Sequence, residues 1–281
     1  GADAIYFGVE QLNMRTVSSK TFTVQDIKEV TMRCKASNVK AYITLNTVMY
    51  DHDRQLLQTI LKEVKEHQID AVIASDFAVI EQCITMNIPV HVSTQANVSN
   101  IEAVKFYARF SDVIVLAREL TLTQTENICK EIIRKDIRGV SGEPVKIEIF
   151  GHGALCMAIS GKCYLSLHTQ NASANRGACQ QNCRHAYEVT DKETGESLLI
   201  DNEYIMSPKD LCTIDFLDEV VNSGIDVLKL EGRSKGADYV SEITKCYREA
   251  LDAIEEGAYT KEKIEDWMKR LSTVYNRGFW D

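Results

Sequence analysis

Four cysteines stand close together in a stretch of the chain that could bind a metal. The segment GALCMAISGKC carries Cys156 and Cys163, and RGACQQNCRH carries Cys179 and Cys183. Six, fifteen and three residues separate them in turn. Four thiolates can hold a tetrahedral zinc ion or an iron–sulfur cluster. Zinc knuckles usually keep about two to four residues inside each pair, and the first pair here is wider. A cluster tolerates irregular spacing, because each cysteine binds a different iron corner. The plain alternative is four unrelated buried thiols. Four of nine cysteines within 28 residues speaks against it.

From Ile149 to Tyr187 there is no Asp or Glu, in a chain with 41 acids. The same window holds Lys162, Arg176 and Arg184 with His152, His168 and His185. A cluster on four thiolates carries net negative charge, which nearby cations offset and carboxylates would repel. Gly151, Gly153, Gly161 and Gly177 would let backbone N–H groups come near the sulfurs. The positive balance could equally receive an anionic substrate.

The elements that must position these residues read as alternating strands and helices. Short apolar runs recur at 3–8, 40–46, 70–76, 89–95, 112–118, 145–151 and 226–232, nearly continuous as in strands buried on both faces. Between them lie helical patterns, such as Leu56, Leu57, Ile60, Leu61 and Val64. This alternation implies a parallel sheet with crossover helices, either a (β/α)8 barrel or a doubly wound sheet. No G-x-G-x-x-G follows the first strand, which lowers the dinucleotide-binding alternative. Seven strands are counted, so the expectation is a single TIM-like barrel over 1–281 whose first βα unit lies upstream of residue 1. The start GADAIYFG, without Met, and the end VYNRGFWD both read as internal to a longer chain.

About 75 residues separate the sixth and seventh runs, far beyond an ordinary loop of about two to six. This insertion, taken as 152–200, carries the cysteines and then a small hairpin, AYEVTDKETGESLLID, turning at ETGE. SPKDLCTIDFLDEVVNSG reads as one helix leading into the last strand, and two amphipathic helices follow. In a barrel, active sites form at the C-terminal strand ends. Those ends offer Asn13, Arg15, Asn46, Asp76, Thr94, Gln95, Arg118, His152, Glu231 and Arg233, with strand interiors expected to be apolar. Each could equally be an ordinary polar loop residue.

The net charge of −9 excludes a surface that binds nucleic acid everywhere, though not a local basic patch. The odd cysteine count in a chain with no visible signal segment does not suggest a disulfide framework. No apolar run approaches the length of a membrane span, and the expected compartment is the cytoplasm. Cys34, Cys83, Cys129 and Cys246 fall on apolar helix faces and are expected in the core; Cys212 is a candidate substitute ligand.

The segments GADAIYFG, NMR, HVSTQANV, LAREL, EIFGHGALCMAISGKCYLS, RGACQQNCR, SPKDLCTI and KLEGR, in this order, resemble the collagenase-like peptidase family, family thirty-two of the peptidases of unknown catalytic type. The resemblance covers essentially the whole chain. It implies a [4Fe–4S] cluster on Cys156, Cys163, Cys179 and Cys183, and oxygen-independent hydroxylation with tRNA or another RNA as partner. The best match is to members that hydroxylate tRNA wobble uridine at its 5-position with a prephenate-like donor; full-length members continue into C-terminal β modules, and the expectation is that such a module lies outside residues 1–281. On this reading Arg15, Arg118 and Arg233, with Gln95, would bind the small carboxylated metabolite or the base, and His152 and Glu231 would be general acid and base. Two other readings stay open: a collagenase-like peptidase, and a cluster-bearing subunit that binds RNA or a partner without catalysis. The peptidase reading finds no H-E-x-x-H or G-x-S-x-G, only a conceivable dyad of Cys156 with His152. Neither oligomeric state nor the RNA position follows from these residues.

Overall fold

The computed structural model describes residues 1–14, 16, 22–185, 187–197, 206, 209–232, 235–274 and 276. Strand and helix alternate as β1 (Ala4–Gly8), α1 (Asp26–Ala36), β2 (Lys40–Leu45), α2 (Arg54–His67), β3 (Ala71–Ala74), α3 (Phe77–Thr85), β4 (Val90–Val92), α4 (Ile101–Tyr107), β5 (Val113–Val115), α5 (Leu122–Arg134) and β6 (Lys146–Ala154). The cysteine segment follows, with α6 (Leu165–Gln170); then come β7 (Asp210–Cys212), α7 (Leu217–Asn222), β8 (Val227–Leu230), α8 (Ala237–Glu255) and α9 (Lys261–Thr273).

Seven strands pair in parallel, in the order β1-β2-β3-β4-β5-β6-β8. All seven coincide with the apolar runs. The sheet curls into a half-barrel, with β1 and β8 at its two edges. Tyr6 of β1 reaches across to β8, its hydroxyl 3.3 Å from the Leu230 carbonyl and 3.0 Å from Glu231 Oε2. Among the described residues no strand lies between β1 and β8, and the parallel sheet is a curled half-barrel.

The reading of 207–224 as one helix is corrected. Asp210–Cys212 is a strand, antiparallel to the far end of β6, with His152 opposite Cys212 and Ala154 opposite Asp210. The helix begins only at Leu217. Of the expected hairpin, the described part is an antiparallel bridge between Thr190 and Ser197 around Gly195.

Helices form where apolar residues repeat at helical spacing, and that stripe faces the sheet. α2 buries Leu57, Ile60, Leu61 and Val64; α5 buries Ile128, Cys129 and Ile132. Caps set their starts. Thr121 and Gln124 exchange side-chain and backbone hydrogen bonds in a capping box at α5. Asp76 caps α3 through Ala78 N and also accepts from Met49 N, tying the loop after β2 to the next strand end. The outward strand residues Ile43, Leu45, Val72, Val92, Ile114 and Ile147 fill the layer beneath the helices. Cys34, Cys83, Cys129 and Cys246 are buried, as expected.

Two histidines are buried within this frame. His91 lies on the concave face, its ring against Tyr42 at 4.6 Å. His152 sits behind the sheet between β6 and α8, with Nδ1 3.2 Å from the Tyr247 hydroxyl. Burial pulls both down to about 4 from 6.5; for His91 the Glu148 carboxylate opposes that shift.

Two stability measurements test this frame. Ile114→Ala, at a fully buried position, is expected to cost ~2–5 kcal/mol in urea unfolding, and Ile133→Ala, 78% exposed, less than about 0.5 kcal/mol. Equal effects would contradict the assignment of faces. The pH dependence follows from the lowered histidine values. Above 6.5 both rings are neutral, folded or unfolded, and their contribution is complete. As pH falls from 6.5 toward 4, the unfolded chain takes up protons that the folded chain refuses, and stability declines. His91→Phe is expected to flatten that decline; an unchanged slope would remove His91 as a cause.

Candidate functional site at the strand ends

All seven parallel strands end on one rim, and the cysteine segment lies against it. On the β4–β5 side, Arg118 donates from Nε and Nη2 to Ser160 Oγ at 3.1 and 2.6 Å. Asn97 Nδ2 donates to the Ser160 carbonyl at 2.8 Å. Gly161 follows in the left-handed region, at φ 69°. A Cβ there would come 2.9 Å from Gln95 Oε1, so glycine permits the approach.

On the β2 side, Arg176 reaches into the loop that precedes α2. It makes a two-pronged ion pair with Asp53, donates to the Val48 carbonyl at 2.7 Å and lies over the Tyr50 ring at 4.3 Å. The Asp53 side chain is 2% exposed. The Arg176 hydrogen bond holds the Asp53 carboxyl below its usual range, against the opposing effect of burial. Val48 N donates to the Asn175 carbonyl at 3.1 Å, adding a backbone link. Gly177, at φ 84°, passes so close to the loop after β1 that a Cβ would strike the Asn13 carbonyl oxygen.

Between these attachments the four cysteines come together. Cys156 is exposed; Cys163, Cys179 and Cys183 are half-buried. Burial pushes the Cys183 thiol up, and charge on Cys156, Cys179 and Cys163 pushes it the same way, opposed by Arg184. All three other thiols therefore lie within electrostatic reach of Cys183. Among the described residues no three Cys, His, Asp or Glu side chains are gathered tightly enough to share one metal ion. The four thiols are a soft donor set.

Below the rim, the concave face is not apolar, contrary to the expectation for strand interiors. Lys229 Nζ pairs with Glu148 Oε1 at 2.6 Å, both side chains at most 9% exposed. The ammonium also lies 4.4 Å from the Tyr6 ring centre and 5.8 Å from that of Phe150. His91 Nδ1 is buried with no hydrogen-bond partner. Glu148 and Lys229 both act on His91 electrostatically. A polar column therefore runs from His91 through Glu148 and Lys229 to the hydroxyl of Tyr6 on Glu231. Sequence reading missed it, although the charged residues inside KIEIFG and DVLKLEG were its signal.

The other sequence candidates fall in different places. Glu231 is at the rim with Tyr6. Gln95 is at the rim, its Oε1 buried without a partner. Arg118 is engaged by the cysteine segment. His152 is buried on the opposite side of the sheet from Glu148. Arg15 and Arg233 lie outside the described residues. Cys212 is buried, its sulfur 3.8 Å from Met268 Sδ and from the Tyr247 hydroxyl, in the layer beneath α8 and α9. The four glycines meet the barrel: Gly151 meets Leu228, Gly153 meets Glu231, Gly161 meets Gln95 and Gly177 meets Asn13.

No helix among the described residues is long and apolar enough to cross a membrane. Comparison with known proteins places this architecture. The chain is 51% identical over 281 residues to a protein of Porphyromonas gingivalis named collagenase, covering all of this chain and 68% of that protein. It is 31% identical over 284 residues to tRNA hydroxylation protein P1 of Bacillus subtilis, covering 99% of this chain and 64% of that one. It is 35% identical over 258 residues to the 23S rRNA 5-hydroxycytidine C2501 synthase of Escherichia coli, covering 90% of this chain and 37% of that one. The family profile described as Peptidase family U32 matches residues 1–281, from one end to the other, and the chain belongs to that family.

Proposed function

We propose that this chain is the catalytic part of an enzyme that hydroxylates a pyrimidine base of RNA without O₂, tRNA wobble uridine at its 5-position being the best-supported substrate. One observation carries the reading: an acid-free segment with four cysteines lies over the C-terminal ends of a parallel sheet, three of its thiols within electrostatic reach of Cys183. Relatives named as a tRNA hydroxylation protein and an rRNA hydroxycytidine synthase support RNA as the substrate class.

A [4Fe–4S] cluster fits the donor set. The ligands are soft, they number four, and no Asp or Glu lies in the sequence window around them. Cys156, Cys163, Cys179 and Cys183 would hold it. When bound, such a cluster supplies electron transfer. The remaining functions fall to side chains. Glu231, held by the Tyr6 hydroxyl, is the proposed acid–base group. Arg15 and Arg233, with the part of Arg118 not engaged by Ser160, would take the carboxylates of a prephenate-like donor. Gln95 offers an amide to the base.

The collagenase name of the 51% identical relative keeps proteolysis as a second reading. Its chemistry is the weaker of the two. Ser160 Oγ accepts from a guanidinium, which cannot serve as a general base.

The test uses the full-length gene. Deleting it is expected to remove a hydroxylated pyrimidine from cellular RNA, read by mass spectrometry. The wild-type gene restores it, and a Cys179→Ala version does not. Anaerobic reconstitution is expected to load about four irons per chain. Unchanged RNA in the deletion strain would sink the hydroxylase. Peptide cleavage that survives loss of all four cysteines would establish the peptidase instead.

A further inference from the structure

The cysteine segment has little regular structure of its own. Its described elements between Cys156 and Cys183 are the six-residue α6 and short turns. Its attachments to the rim are correspondingly specific, and they divide with the cysteines. Ser160, held by Arg118 and Asn97, lies between Cys156 and Cys163. Arg176, held by Asp53, Val48 and Tyr50, lies three residues before Cys179.

We propose that the strand-end rim pre-forms the cysteine cradle through two clasps, one for each cysteine pair, before any cofactor binds. Arg118 and Arg176 are its positioning residues. The proposal deepens the iron–sulfur reading and rests on it only for the identity of what the cradle receives.

Three physical points support it. The Arg176–Asp53 pair is charge-assisted and two-pronged, with Asp53 buried and Arg176 half-buried, the geometry that gives an ion pair directional hold. It also carries an aromatic face and a carbonyl acceptor, so the guanidinium is fixed on three sides. Arg118 sends two N–H groups to one hydroxyl, and Asn97 takes the carbonyl of the same residue, so Ser160 is held by side chain and backbone together. Gly161 and Gly177, both with positive φ, bring the backbone to the rim beside each clasp; a Cβ at Gly177 would strike the Asn13 carbonyl oxygen. Such a site differs from small metal domains whose ligands come together only when the metal binds. Here the sheet supplies the shape, as supporting residues do around a precise site.

Hydrogen exchange on the cofactor-free full-length protein tests this directly. The amides of Lys162, Arg176, Gly177 and Ala178 donate to carbonyls within the segment and report each half of it. In the wild type they are expected to be protected without iron. Arg176→Ala is expected to speed exchange at Arg176 (now alanine), Gly177 and Ala178 by about tenfold or more, leaving Lys162 little changed; Arg118→Ala should do the reverse. Arg176→Lys is expected to restore only part of the protection, because it keeps charge and loses the fork. Arg176→Ala leaves a lone buried carboxylate, so the Asp53→Ala/Arg176→Ala pair is run beside it to separate loss of the clasp from loss of the fold. After reconstitution, both clasp variants should lose iron to a chelator faster than wild type, about fivefold or more. Unprotected wild-type amides, or variants that exchange like wild type, would overturn the proposal. If the amides behave as expected but the wild type takes up no iron, the clasps stand and the cofactor reading falls.

Discussion

A loop rich in cysteine and glycine has no ladder of hydrogen bonds to fix its shape, so it must take that shape from a rigid neighbour. Here the neighbour is the common edge at which the seven parallel strands stop. The contact of Arg176 with Asp53 concentrates this dependence: a half-buried guanidinium from the loop pairs with a carboxylate beside β2 that is nearly solvent-free and also accepts the backbone N–H of Tyr50. Removing the guanidinium would leave that buried carboxylate without its charged partner, which is costly. The loop is therefore held by an interaction that is expensive to break, and its sulfurs inherit the rigidity of the sheet.

The concave face follows a different logic from the layer beneath the helices. Outward residues are aliphatic and interchangeable in kind, because packing is all they do. Inward residues are mixed: tyrosines, a histidine, a lysine and a glutamate stand among Ile73, Val113 and Val115. Burying Lys229 and Glu148 incurs a desolvation penalty that an aliphatic pair of similar volume would avoid. A fold that accepts such a penalty beside its rim has a local conflict of the kind found at working sites. The same separation of roles assigns His152, which shares a strand with Glu148 but joins the packing against α8.

Much of this was legible in the sequence, and the exceptions have physical causes. Each of the seven parallel strands was visible as an apolar run, since strands covered by helices on one side and by a barrel interior on the other tolerate few polar residues. The helices were visible from the spacing of residues such as Leu57, Ile60 and Val64. β7 was not, because three residues give no period and Cys212 fits either a strand or a helix. The charges of the inner column were in plain view but flanked by isoleucine, leucine and phenylalanine, so they read as noise in an apolar run. The pairing of Arg176 with Asp53 spans 123 residues, and nothing local in either stretch announces the other. The cysteine quartet was the clearest signal in the sequence, and the segment that bears it lies on the rim; Arg118 stood out for its charge, while its observed partner is a serine hydroxyl.

One strand joins the two halves of the site. β6 is nine residues long; Glu148 points into the inner column near its start, and the first cysteine follows two residues after its last residue, Ala154. An extended chain rises ~3.3 Å per residue and has almost no slack along its axis. The sulfur-bearing loop and the buried Lys229–Glu148 pair are therefore mounted on one strand, whose register shifts between Phe150 and His152. That shift turns His152 to the face opposite Glu148, so a single strand serves the inner column, the layer beneath α8 and the approach to the sulfurs.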